Sequence, residues 1–327
     1  MKETVSIRLI SKSTDLPVMH CQDFFHSTEF FKILENTPHQ DPCMALAEDG
    51  QGEIIAHMLN VISCHRSLFP PFKLSHVWVY GEGEYSSNVD KERIFSLFLN
   101  EVTAHFSHKQ CLYIQFSDLS GKMFGYNSFR HNGFFPIPWQ GIHNSLHSMP
   151  PEMRLPVKTQ EQISDSIKRG VECEIINNES PEFRSAIRLL RHYSLLKPGH
   201  SLPSIEMLEK MLAADRCIMI ATTYKKRVIG TCVCILSASN AYMWLLASRR
   251  KTYMMFHPDT YTVWSALSFA YKRGYRHMYF LDAGITFKPN STRDFILEFG
   301  GKPVSKYRWV RFPVRWINKL FDWCYND

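Results

Sequence analysis

The 327-residue sequence has no CxxC pair, no window approaching the roughly 20 apolar residues that span a bilayer, and no signal-type apolar core near its start. Met1 to Asp15 instead alternates charges with single apolar residues. The nine cysteines, at 21, 43, 64, 111, 173, 217, 232, 234 and 324, are odd in number and irregular in spacing. That argues against a disulfide framework or a zinc site, so no metal is expected, and it fits a reducing cytoplasm. Cys232 and Cys234 alternate along an apolar run, so both point one way, into a core. Charge of either sign is not in gross excess: the formal net charge of +7 suggests an anionic partner without saying which. With 45% hydrophobic and 21% charged residues, disorder is not indicated, and the length favours two domains over one.

The first half has a clear order of elements. Val5 to Ile10 reads as a strand and Phe24 to Leu34 as a helix. Met44–Glu48 and Ile54–Ser63 pair around Asp49-Gly50-Gln51-Gly52, a hairpin turn. Val77–Tyr80 is a short strand, and Ile94, Leu97, Phe98, Val102 and Phe106 form a helical stripe. A strand over Leu112–Phe116 ends at Ser117-Asp118, followed by a helix that Asn132-Gly133 closes and then by a further strand. Five prolines between Pro136 and Pro156, with little periodicity, mark the crossover to the second half.

There the plan repeats. Thr159 and Gln162 form a capping box for a helix ending at Gly170, and Val171–Ile176 is a strand. Ser180-Pro181-Glu182 and Ser204 start two helices. Cys217–Thr222 and Val228–Leu236 make a hairpin about Lys225-Lys226. An apolar run over 242–247 leads into the basic loop Ser248-Arg249-Arg250-Lys251. Asp259 is the expected N-cap of the next helix, which Lys272-Arg273-Gly274 closes. A buried strand at 278–281, a helix from Ser291 to Gly300-Gly301 and an alternating strand over 304–312 complete the order βααβββαβαβ. Gly133 aligns with Gly300 and Cys111 with His277 at an offset of about 167 residues, which indicates duplication rather than a short-period solenoid.

The phrases IKRGVECEI (167–175), HPDTYTVWSALSFAYKRGYRHMYFLDAG (257–284) and FILEFGGKPVSKYRW (295–309) resemble a GNAT acyltransferase fold. More closely, they are similar to the Fem-type transferases, which carry two such folds and build peptide bridges in bacterial cell walls. The resemblance covers the second half well and the first by element order. It implies an α/β protein of two tandem GNAT-like domains, each a mixed, splayed sheet flanked by helices. These would be residues 1–155, the degenerate copy, and residues 156–327, with a basic, aromatic C-terminal tail.

The resemblance also implies a chemistry. In this fold the central parallel strands splay apart, and the exposed backbone of one binds an acyl donor; here these strands are 242–247 and 277–281. The following loop usually wraps a pyrophosphate on backbone amides, reading [QR]xxGx[GA] in CoA-using members. This chain has SRRKTYMMFHPD, without a glycine. Arg249, Arg250 and Lys251 are either its replacement as phosphate ligands or a solvated charged loop, and His257 either touches phosphate or packs at the helix start. Fem-type enzymes also lack the glycine loop and use aminoacyl-tRNA, so the donor is acyl-CoA or aminoacyl-tRNA. A family lysine is replaced by Ile296, with Lys288 in the preceding loop a candidate substitute. Asp118 and Asp282 end equivalent strands, as turn residues or site carboxylates, and Asp118 is the first candidate to orient or deprotonate the acceptor amine.

The tail from Lys302 to Lys319 has six Lys or Arg and no acidic residue, interleaved with aromatic residues. Such a segment packs on the core, lies on an anionic membrane surface or follows RNA. The expectation is therefore an N-acyltransferase acting on an amine of a small molecule, a peptide or a lipid-linked cell-envelope precursor. It would be cytoplasmic, with peripheral contact at the inner membrane. The alternative is a non-catalytic GNAT-fold scaffold, or a protein that binds RNA or a membrane surface.

Overall fold

The computed structural model describes residues 5–66, 73–107, 111–195, 203–281, 284–286 and 289–326. The first half contains β1 (Ser6–Ile10), α1 (Thr28–Glu35), β2 (Gln40–Glu48), β3 (Ile54–Arg66), β4 (Lys73–Tyr80), β5 (Glu84–Tyr85), α2 (Lys91–Ser107), β6 (Cys111–Ser117), α3 (Tyr126–His131) and β7 (Phe135–Ser145). The second contains α4 (Val157–Lys168), β8 (Glu172–Ile176), α5 (Phe183–Leu195), α6 (Ile205–Ala213), β9 (Cys217–Tyr224), β10 (Arg227–Ser237), β11 (Asn240–Ser248), α7 (Pro258–Lys272), β12 (His277–Phe280), α8 (Ser291–Leu297), β13 (Lys302–Arg311) and α9 (Arg315–Asn326). No helix among the described residues is long and apolar enough to cross a membrane.

These elements form two compact units, Met1–Trp139 with Ser305–Asp327, and Gln140–Val304. In the first, β1, β2, β3 and β4 are antiparallel neighbours. The β2–β3 turn is set by Asp49, whose Oδ1 accepts the amides of Gln51 and Glu53, each at 2.9 Å. β4 and β6 run parallel, from Ser75 opposite Cys111 to Tyr80 opposite Ser117. Parallel strands need a crossover, and α2 supplies it, burying Ile94, Phe95, Phe98, Leu99, Val102 and Phe106 over Val77, Val79, Ile114 and Phe116. Each such side chain contributes about 1.5–3 kcal/mol by leaving water.

In the second unit the parallel pair is β11 and β12, with α7 as crossover, burying Val263, Ala266, Leu267 and Ala270. α7 approaches the sheet so closely that a Cβ at Gly230 of β10 would collide with Thr262 Oγ1 and stand 3.0 Å from the Pro258 carbonyl. β10, β9 and β8 continue the sheet as antiparallel neighbours.

Each half of the chain gives up its last strand. The end of β7 belongs to the second unit, where Ile142–Ser145 pair with β12. The end of β13 belongs to the first, where Arg308–Arg311 pair with β6. Trp309 is thereby 1% exposed and stacks on Phe129 at 4.5 Å. Part of the proline-rich segment expected as a crossover is thus strand β7. Pro136 and Pro138 lack amide donors, and β7 meets β12 only beyond them, from Ile142. Two caps also differ from expectation. α4 starts after Pro156, so Thr159 lies inside its first turn and its hydroxyl reaches the Glu298 carbonyl, 3.5 Å away. The N-cap of α7 is His257, not Asp259.

Candidate functional site

In the second unit, β11 and β12 pair only from Asn240 opposite His277 to Met243 opposite Phe280, and Leu281 N–H adds one more bond to the Met243 carbonyl at 3.2 Å. At the same level β11 bulges. Its register on β10 passes from Met243 opposite Cys234 to Leu245 opposite Val233, so Trp244 is the extra residue. Beyond the bulge Leu245–Ser248 stay on β10, and no strand pairs their other edge among the described residues. β11 thus runs on past its last partner on β12, and Trp244, Leu245 and Leu246 in this stretch are half-buried.

The loop after β11 holds the basic residues Arg249, Arg250 and Lys251. Arg249 N–H donates to the Ile229 carbonyl at 2.7 Å, and its own carbonyl accepts the amides of Thr252 and Tyr253 at 3.0 and 2.9 Å. Arg249, Arg250 and Lys251 are exposed, but Arg250 Nε lies 3.4 Å from Asp259 Oδ2. Half-buried His257 ends the loop at a left-handed φ of 41° and makes no side-chain cap. Asp259 is 8% exposed and its Oδ1 accepts the Thr260 amide at 3.0 Å. The first turn of α7 thus opens with a proline, which has no N–H, and already holds a carboxylate. Asp282 and Lys288 lie outside the described residues.

Sequence spacing missed a histidine group in this unit. The β7–β12 pairing sets His143 opposite Tyr279 and Ser145 opposite His277. Ring centroids are 5.7 Å apart for His143–His277 and 4.9 Å for His147–His277. Burial, then His147 and His143, push the His277 imidazole below its ordinary pKa. His143, Ser145, Ser148, Arg154 and Lys302 line a cleft of about 420 Å³ beside them.

Asp118 lies in the first unit, at the C-terminal end of β6. Its Oδ1 accepts the Met123 amide at 3.2 Å and its Oδ2 the Tyr307 amide at 2.8 Å. The side chain therefore shapes the 118–123 turn and holds β13. Burial raises its pKa to about 6 against the pull of those two amides, Lys306 and Lys122. Lys306, 3% exposed, donates its ammonium to the Leu119 carbonyl; burial lowers its pKa to about 8, and the Asp118 charge opposes that. Glu82 follows the neighbouring strand β4, and burial followed by the charges of Asp118 and Asp23 raises it too. Lys306 and Glu82 were not legible as site residues. The register that brings them to Asp118 forms between segments far apart in the chain.

No family model matches the sequence, and no curated protein does. Solved structures do match. FemX superposes with a TM-score of 0.64 at 9% identity, covering 92% of this chain and 94% of that one. The C-terminal domain of a putative lysylphosphatidylglycerol synthetase from Agrobacterium fabrum gives 0.59 at 11% identity, over 92% and 91%. A tandem GNAT protein from the clavulanic acid biosynthesis pathway gives 0.58 at 9% identity, over 95% and 99%. The fold is therefore the tandem GNAT fold, with two GNAT-like domains in one chain.

Proposed function

We propose that the protein is an N-acyltransferase that moves an acyl or aminoacyl group from acyl-CoA or aminoacyl-tRNA to an amine. The observation carrying this reading is the edge of β11 beyond Met243, which no strand pairs among the described residues. Polar groups of a donor can hydrogen-bond along that edge, beside half-buried Trp244, Leu245 and Leu246. Strand N–H groups on that edge are suited to a developing oxyanion.

Within this reading the aminoacyl-tRNA donor is favoured. The first turn of α7 offers no amide nest for a pyrophosphate, because Pro258 lacks the donor and Asp259 occupies the anion position. Arg249 and Lys251 are exposed cations suited to a polynucleotide backbone, and His257 closes the same loop. Lys288 and Asp282 are proposed as the site's remaining charges. Asp118 is proposed as the acid–base group for the acceptor amine, since a carboxyl near pH 6 is tuned for proton transfer around neutrality. The proposed domain division remains 1–155 and 156–327, with last strands exchanged.

The proposed acceptor is an amine on a lipid-linked or peptide cell-envelope precursor, met at the cytoplasmic membrane face. FemX and the lysylphosphatidylglycerol synthetase domain share the fold. α9 also presents Trp316, Leu320 and Trp323 on one face, 69%, 48% and 65% exposed, beside Arg315 and Lys319.

The test is donor binding. The Arg249→Glu/Lys251→Glu variant should lose aminoacyl-tRNA affinity, and wild-type affinity should fall steeply with salt while binding of CoA thioesters stays weak. Tight, salt-insensitive CoA binding would move the donor assignment to acyl-CoA. Absence of binding and transfer with both donors would favour the non-catalytic scaffold.

A further inference from the structure

We infer that Cys21, His57 and Glu84, in the first unit, form a zinc site distinct from the proposed transferase chemistry. Their donor atoms, one sulfur, one ring nitrogen and one carboxylate oxygen, all lie within 4.8 Å of one another. A tetrahedral zinc with ordinary bond lengths sets its ligand atoms about 3.3–3.7 Å apart, so the group is close to closed around an ion. His57 Nε2 and Glu84 Oε1 are already 3.5 Å apart.

Three observations separate this group from a chance cluster. His57 is 5% exposed, and its Nε2 faces the Glu84 carboxylate without completing a hydrogen bond. A buried ring nitrogen lacking a full hydrogen bond is costly, and a metal bond would satisfy it. The two strand ligands are set by register, for His57 of β3 stands directly opposite Glu84 of β5. A Cβ at Gly83, where φ is 93°, would stand 2.6 Å from the His57 carbonyl, so glycine there permits the close pairing. The Glu84 carboxylate is also aimed in advance. Its Oε1 accepts the Gln22 and Asp23 amides at 3.1 and 2.9 Å, and its Oε2 accepts Gln22 N–H at 2.9 Å. Outer bonds of this kind orient a ligating carboxylate, and these also carry Cys21 to the strands.

The donor set, one thiolate, one imidazole and one carboxylate, suits zinc rather than magnesium or calcium. Three protein ligands leave the fourth position to water or an added ligand. Binding would tie the 16–23 segment to the Glu82-Gly83-Glu84 turn.

The full-length protein, purified without chelator, should retain about one zinc per chain by elemental analysis. Cobalt exchanged into it should give tetrahedral absorption with a thiolate-to-cobalt charge-transfer band. Cys21→Ser should abolish that band, and His57→Gln should weaken zinc affinity by more than the roughly 10–100-fold that loss of an outer-shell partner causes. If either variant does not fold, Glu84→Gln and the wild-type cobalt spectrum decide. A wild-type protein that binds no zinc, shows no charge-transfer band, or binds equally well after these substitutions would overturn the site.

Discussion

Asp118 and Lys306 are an acid and a base whose burial pushes both toward neutrality, and their pKa values of about 6 and about 8 make opposite contributions to stability. Between about pH 4 and 6 the unfolded aspartate loses its proton before the folded one, so stability falls as pH rises. Between about pH 8 and 10.5 the unfolded lysine holds a proton that the folded one has shed, so stability rises with pH. Each contribution is about 3 kcal/mol at roughly 1.4 kcal/mol per pH unit. Urea melts across this range should show both limbs, and Lys306→Met should remove the alkaline one. Asp118→Asn should cost about 1–3 kcal/mol, because an amide has one oxygen for the two backbone N–H groups the carboxylate accepts. If Asp118 is the acid–base group, the same variant should lower turnover by roughly 10²–10⁴ under conditions where it stays folded. A folded variant with unchanged turnover would leave Asp118 a turn-former only.

At the scale of elements, α9 is two-sided. Phe321 stacks on Phe312 and Tyr325 on Phe135, while Asp322 pairs with Arg130 at 2.7 Å. Trp316, Leu320 and Trp323 face away from this packing. Replacing both tryptophans by serine should reduce flotation with anionic vesicles severalfold and leave the melting temperature nearly unchanged, since exposed side chains contribute little to folding. Equal flotation of variant and wild type would return α9 to a purely packing role. Gly230 offers the contrasting case. An added methyl meets the first turns of α7 from below, so Gly230→Ala should destabilise by about 1–3 kcal/mol, read from the urea midpoint.

For the whole molecule, the exchanged strands set what can fold alone. Residues 1–155 lack the end of β13 and α9, and so lack Trp309, which is buried against Phe129 in the first unit's core. That fragment should not unfold cooperatively, whereas the full chain should. In the intact protein Trp309→Ala should cost about 3–5 kcal/mol. A sharp transition from the fragment would show that the exchanged strand is dispensable.

Local order was determined by the sequence itself. The Asp49 hairpin, the stripes of α2 and α7, the Ser204 cap and the glycines at 133 and 300 are each specified within a few residues by backbone chemistry or helical period. The repeated element order and the family phrases carried the tandem fold. Tertiary structure decided whatever depends on register between distant segments. Prolines concealed how far the strand after Gly133 runs, because the partner of its second half lies more than a hundred residues away. Pairing of β7 with β12 brought His277 to His143 and His147, and β13 brought Lys306 to Asp118. The Cys21–His57–Glu84 group is the clearest case. Cysteine spacing argued against a zinc site, because a spacing rule detects ligands from one loop, whereas these come from a loop and two paired strands. Short-range propensities fix which elements form; only long-range pairing fixes which side chains meet.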